Sequence, residues 1–465
     1  MAEALSMGHR KLIAAVAEAT YGALTEPASA GTDCFYPLDC EFTLDRPDAD
    51  NEEANNTRSI LENTELKRLG TFSIEMYLKS GGAAGVAPDY TLLLQNYFNT
   101  VVAATGGNSA TDHSAGASVV GSLKITTAHK ERFTVNTPCA VAPSGSTKLQ
   151  MAVVDALVDG GAAPDSLTIS PTLTAVPADA STVYYGSSYS LQANPQNSLS
   201  IWYWYDGNHC VMNMGCVIND IDIVTDPKGL QRIIFKGFFA DQRQTGTTTL
   251  AEELDNSETA IDLTDATIMS NGSLFTVDTE TFRVTVDPTS NTVTVAARGT
   301  VIGAAATHST AAEVTPWRPT PSVNAGTIIL SGARGYVKIS DVDVSCDIIS
   351  CTIKTTNNNK MDHDGFGCET NQGYAAGKNL TTFDMVVSLK AARFIQLMNF
   401  HDKTAKEIFI QWGTSANNMV GVMLANCRYQ VASIPSVGLN ENHLINISGK
   451  ARGTTGLDEI RMLYI

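Results

Sequence analysis

Apolar and polar positions alternate most persistently between Ser200 and Phe239, and the rest of the chain is most simply organised around that stretch. The aromatic block Ile201-Trp202-Tyr203-Trp204-Tyr205 runs into a break at Asp206-Gly207-Asn208. Beyond it, Asn219, Ile221 and Ile223 fall on one face while Asp220 and Asp222 fall on the other, which is the period of a half-buried strand. Asp226-Pro227-Lys228-Gly229 supplies a turn, because proline presets φ and glycine tolerates the positive φ that follows. A strand returns with Ile233, Phe235 and Phe239 on one side and Arg232 and Lys236 opposite. The pattern predicts a long antiparallel hairpin whose backbone edges are completed by neighbouring copies, with Ile221 and Ile223 at the contact.

Upstream, a Pro- and Gly-punctuated arm runs to about Pro37 and a short strand is expected over Phe35–Leu44. Asp45 to Glu65 is acidic and aperiodic, with Asp45, Asp48, Asp50, Glu52 and Glu53 at its start. It reads as a long exposed loop that a neighbouring copy would order. Phe72, Ile74, Met76 and Leu78 alternate with polar residues as a clean strand. Pro88-Asp89 opens a helix carrying Leu93, Leu94, Tyr97, Phe98 and Val101, since proline and an acidic residue both suit a first turn. Short β segments over Ser122–Tyr189 predict a small β module, and meander strands around Leu274–Val277, Phe282–Asp287 and Thr292–Val295 predict a second. Ala296–Pro321 reads as loop or linker. Strands resume over Val337–Val344, Cys351–Lys354, Phe383–Leu389, Ile408–Trp412, Met419–Leu424 and Leu444–Arg452, with a second helix at Ala391–Asp402.

Composition sharpens the class. The 465 residues are 43% hydrophobic, enough to bury a sizeable core, and 36 glycines among many Thr, Ser, Asn and Val tilt the chain toward sheet and turn. With 48 acidic against 31 basic residues, the charge of −17 argues against holding nucleic acid by neutralising phosphates, but suits a wall past which DNA must slide. No apolar run approaches the roughly 20 residues of a membrane span. At the N-terminus the apolar run from Leu12 ends at Glu18, short of a secretory signal, so it is read as part of the folded chain. Nine cysteines without framework spacing point to reduced thiols. Cys210 and Cys216 near His209, and Cys346 with Cys351, lack the paired spacing of a zinc site, and buried thiols are preferred. Asp362-His363-Asp364 is the nearest approach to a metal or acid/base cluster, yet falls in an expected loop. Asp341, Asp343 and Asp347 suggest a calcium loop, but the flanking Val342 and Val344 favour a solvated strand face. No phosphate loop, nucleophile elbow or metalloprotease helix occurs. Neither a catalytic residue nor a cofactor is expected.

The order of several segments carries a resemblance. Glu18-Ala19-Thr20-Tyr21-Gly22, the Leu69-Gly70 to Pro88 strand region, the helix with Leu92-Leu93, Leu167-Thr168-Ile169-Ser170-Pro171-Thr172-Leu173, and Tyr189 before an aromatic strand are similar to the tail tube proteins of long-tailed bacteriophages. Cys351-Thr352-Ile353-Lys354, the asparagine turn after it, and Gly365-Phe366-Gly367 continue the similarity. The resemblance implies a mainly β fold: a β-sandwich or barrel core with one flanking helix. That core would comprise 1–104, 190–245 and 330–465, interrupted by small β modules at 105–189 and 246–329. The second module would sit outside the tube and be dispensable for ring closure; its 271–309 segment resembles a β module recurrent in phage structural proteins. The resemblance also implies six-membered rings stacked into a virion tail tube, assembled in the host cytoplasm. Tape measure and terminator proteins would be partners, and genomic DNA would pass the lumen unbound. A different class, a β-rich virion surface or adhesion protein, is suggested by the inserted modules and by aromatics taken as exposed. A hydrolase using Asp362, His363 and Asp364 is a third.

Overall fold

In the computed structural model the alternating segments become strands of a mainly β protein with short helices at Thr91–Phe98 and Ile395–His401. The structure describes residues 10–465 apart from 51–62, 83–85, 104–117, 126–132, 159–164, 179–180, 194–195, 227, 322–329, 341, 363–366, 391–392, 394, 417, 436–441 and 455. Two unusually long strands, His209–Thr225 and Asn418–Ser433, organise the rest because each bends from one sheet into another. The first half of His209–Thr225 pairs with Leu199–Tyr205 and Asp241–Thr245; its second half pairs with Arg232–Phe239 and Ile348–Thr356. The pairing with Leu199–Tyr205 shifts register between Asn213 and Cys216, around Gly215 at φ 65°, and this bulge lets the strand change sheets; a further bulge at Asn219 follows in the pairing with Arg232–Phe239.

The second half belongs to an eight-stranded antiparallel sheet. Its order is Asp39–Asp45, Leu69–Tyr77, Arg232–Phe239, His209–Thr225, Ile348–Thr356, Leu380–Ser388, Leu444–Ala451 and the end of Asn418–Ser433. A second layer contains Thr100–Ala103, Ser187–Ser190, Ile460–Tyr464, the start of Asn418–Ser433, Lys406–Ser415 and Gly335–Ile339. Ile74, Ile221, Phe235, Ile353, Phe383 and Ile447 from the first layer meet Ile410, Trp412, Val422 and Tyr464 from the second in one core. The Thr91–Phe98 helix closes this core with Leu93, Leu94, Tyr97 and Phe98, as its three- and four-residue spacing predicts. Val101 is not part of the helix: Asn99 adopts φ 59°, ends the helix, and sends Val101 into the Thr100–Ala103 strand, from which it still packs against the core.

Several expectations change. Asp45–Glu65 is not simply a loop, because Asp48–Asp50 pairs with Asn63–Glu65 and prolongs the Asp39–Asp45/Leu69–Tyr77 pair as a ribbon beyond the sheet. Val337–Val344 is interrupted at Ser340, whose φ is 52°, leaving Gly335–Ile339 and a short return at Val342–Asp343. The first module is a five-stranded sheet around Leu123, Phe133, Val154, Leu167 and Tyr185. Ser187–Ser190 lies outside it, in the main sandwich. Gly186 marks the change of sheet, where an added Cβ would sit 1.8 Å from the Tyr464 carbonyl oxygen. In the second module Ala296–Pro321 is not a linker, since Glu313–Pro316 pairs with both Thr248–Thr249 and Leu274–Val277. This module has its own core around Phe275, Phe282, Val293 and Val314. It also covers the sandwich: Leu274 and Trp317 pack with Trp202, Trp204 and Met212, and the Trp204 indole N–H donates to the Trp317 carbonyl at 2.7 Å.

Candidate assembly surface

Alternation fixes what the eight-stranded sheet shows on its two faces. Ile221 lies between Phe235 and Thr355, and Ile223 between Ile233 and Ile353. Both isoleucines are 0% exposed. They hold the subunit's own core, worth about 1.5–3 kcal/mol each on burial, and the strand is paired on both sides within one copy. The expectation that they touch a neighbour is therefore corrected: a hairpin seen alone has open edges, whereas here Leu69–Tyr77 and Ile348–Thr356 extend the sheet on either side of it.

The opposite face is polar and charged. Asp220 stands beside Lys236, and Asp222 lies across from Lys354. Lys236 Nζ reaches Asp222 Oδ2 at 2.7 Å, and Arg232 reaches Glu75 at 2.8 Å. The basic and acidic side chains thus share one face. Asn219, expected beside Ile221, is displaced by the bulge; its side-chain oxygen accepts the Asn359 backbone N–H at 2.7 Å.

Charge is unevenly spread across this face. Asp39, Glu41, Asp45, Glu75, Asp220 and Asp222 occupy the four strands toward the Asp39–Asp45 edge, whose own cations are Arg232 and Lys236; Lys11, from outside these strands, bonds Asp39 at 2.9 Å. Toward the other edge stand Lys354, Lys450 and Arg428, with Asp384 the one carboxylate on those strands' polar face. Lys450 lies directly opposite Arg428. At strand spacings of about 4.8 Å, roughly 34 Å separates the acidic edge from the basic one.

Both edges are open among the described residues. Asp39–Asp45 pairs with Leu69–Tyr77 on one side only, and Arg428–Ser433 pairs with Leu444–Ala451 alone after Lys406–Ser415 ends opposite Cys427. Val431 and Ile434 are exposed at the second edge. Of the acidic residues singled out in the sequence, Asp45 is exposed at the end of its strand, and Asp48 and Asp50 lie in the ribbon that continues it. Glu52 and Glu53 fall outside the described residues. The open edges are what sequence reading missed: whether a strand has one neighbour or two leaves no mark on its own alternation.

The candidate chemical clusters do not assemble. Cys210 and Cys216 are fully buried, and burial pushes both thiols well above their ordinary range. Cys351 is buried, with its thiol pushed up to about 12, while Cys346 is exposed. No group of three metal-ligating side chains occurs among the described residues. Asp343 accepts the Ser345 amide at 2.9 Å, and Asp347 is bound by Lys390 and Arg393; Asp341, His363 and Asp364 lie outside the described residues. Asp347 is mostly sequestered, and although burial alone would raise its carboxyl, those two cations hold it below the usual range. Among the described residues no helix is long and apolar enough to cross a membrane. No protein-family profile matches this chain, and no curated protein matches it either.

Proposed function

We propose that this protein is a self-assembling structural subunit whose copies join head to tail into closed rings that stack as a tail tube. The observation that carries the reading is the eight-stranded sheet with an open, acidic edge at one end and an open, basic edge at the other. A head-to-tail contact pairs unlike surfaces and generates a ring when the rotation closes. It also removes the exposed edges, which otherwise invite uncontrolled strand pairing. Closure places the acidic edge of one copy against the basic edge of the next, and such complementarity fixes register and suppresses wrong partners.

The polar face then lines a channel. Its carboxylates outnumber its cations, and two of the cations are already paired with acids in the same subunit. Few Lys or Arg side chains remain free to release counterions from a passing duplex, so DNA is not held. At a Debye length of roughly 8–10 Å, the surplus charge acts only close to the wall. The adhesion reading loses one of its supports, because Trp202, Tyr203 and Trp204 are buried rather than displayed. Negative-stain microscopy of the purified protein tests the proposal: rings or tubes of uniform diameter are expected, and a monodisperse monomer at milligram-per-millilitre concentration would overturn it.

A further inference from the structure

A cavity of about 370 Å³ opens where the end of the Thr91–Phe98 helix meets 191–193 and Gln196, the asparagine turn at 357–359, the 374–379 segment and 456–459. That volume lies within the ~300–1,000 Å³ range of small-molecule sites. Its wall is rich in carboxamides, and one set is locked in place. Asn379 Nδ2 donates to the Tyr97 hydroxyl at 2.9 Å and to Asn357 Oδ1 at 3.1 Å, while Asn357 Nδ2 donates to the Tyr97 carbonyl at 3.1 Å. Gln196 Nε2 is likewise bound to the Tyr97 carbonyl, and the Tyr374 hydroxyl donates to the Gln196 carbonyl.

A second set of atoms in the same wall is left over. Gln196 Oε1, Asn359 Nδ2 and Glu459 Oε2 belong to side chains that line the cavity; the atoms themselves are turned away from solvent and have no hydrogen-bond partner among the described residues. A buried polar atom without a partner is costly, so each of these side chains gains by turning its free atom toward a ligand in the cavity. Two are acceptors and one is a donor. Leu191, Leu457 and Tyr374 add apolar surface beside them, and among the described residues of the lining Lys378 is the one cation. Those residues therefore offer no cluster of positive charge for a phosphate. It suits a small, largely neutral molecule whose groups both donate and accept, with apolar C–H surface between them.

We propose that this cavity binds a saccharide unit, with the amide and carboxylate groups of Gln196, Asn359 and Glu459 turning onto its hydroxyls. A pyranose hydroxyl donates to the Gln196 and Glu459 oxygens and accepts from the Asn359 amide, which satisfies all three. The site is independent of ring formation, because every group comes from one copy.

Saturation-transfer NMR on the full chain tests it with the methyl glycosides of glucose, galactose, rhamnose and N-acetylglucosamine at millimolar concentration. At least one glycoside is expected to give transfer, with its dissociation constant raised about tenfold in each of Asn359→Asp and Glu459→Gln. Both variants keep shape while exchanging a donor for an acceptor or the reverse, and their thermal melting should match the parent. Lys148→Gln, remote from the cavity lining, should leave binding unchanged. Absence of transfer from all four glycosides, equal binding in the two cavity variants, or displacement by a tri-asparagine peptide in place of sugar would each overturn the proposal.

Discussion

Replacing Glu18 by alanine should destabilise the join between the N-terminal strand and the central strands more than any change of similar size on the surface. The carboxylate is 4% exposed and receives four hydrogen bonds. Oε2 accepts the Gly22 amide at 2.8 Å and the Ser198 hydroxyl at 2.5 Å; Oε1 accepts the Ser200 hydroxyl at 2.8 Å and the Gly215 amide at 2.9 Å. Bonds to a charged group contribute about 1.5–3 kcal/mol each, but the four share one acceptor group and are not additive. Alanine removes all of them; the Ser198 and Ser200 hydroxyls can rotate to other acceptors, but the Gly22 and Gly215 amides cannot, and at ~1–3 kcal/mol for each unsatisfied buried donor a loss of ~4 kcal/mol is expected. Glutamine keeps the shape but turns an N–H₂ toward two donors, and should lose about half as much. Differential scanning calorimetry gives the size of the effect. Hydrogen exchange gives its place, with protection lost first in Leu12–Ala17 and its partner Leu199–Tyr205. An alanine variant that melts within ~1 °C of the parent with unchanged protection would refute the reasoning.

The second module should carry a separate acid transition. Burial alone would raise the Glu280 carboxyl, yet the paired Arg298 and the His308 ring hold it down at about 2. A depressed acid contributes stability that is present above its ordinary value near 4.5 and is lost as pH falls toward 2. Near-ultraviolet dichroism should therefore show the module loosening in that window, with the step absent in Glu280→Gln. Deleting 246–329 with a Gly/Ser linker should expose Trp202 and Trp204, seen as a red-shifted emission and a lower melting temperature. A deleted protein with native emission would show that Leu274 and Trp317 are not needed as their cover.

What the sequence made legible was set by burial on one face. Phe72–Leu78 and Ile221–Ile223 announce their strands because one side meets the core, and Leu93, Leu94, Tyr97 and Phe98 announce a helix for the same reason. Asp48–Asp50 and Asn63–Glu65 pair beyond the sheet, with little apolar alternation in the sequence to reveal them. Ser187–Ser190 is a central strand of Ser and Tyr whose burial comes from neighbours far along the chain. Glu18 looked like the end of an apolar run. The signals available for its role were Ser198 and Ser200, two residues apart, and glycines at 22 and 215, but only the fold brings these four donors together. The acidic stretch from Asp45 was visible as charge, whereas Asp39 and Glu41 sat in an expected strand and the basic counterpart was scattered over Lys354, Arg428 and Lys450, which only the fold brings into one row across the sheet.

Edge-to-edge joining is tested most directly by reversing the charges at each end of the sheet, separately and then together. Glu41→Lys and Asp45→Lys in one chain, or Arg428→Glu and Lys450→Glu in another, should abolish rings and tubes in negative stain near physiological salt while each chain stays folded. All four substitutions in one chain restore unlike edges and should restore the rings. Assembly undiminished by either set alone, or a folded four-fold variant that remains monomeric, would contradict the joining of these two edges.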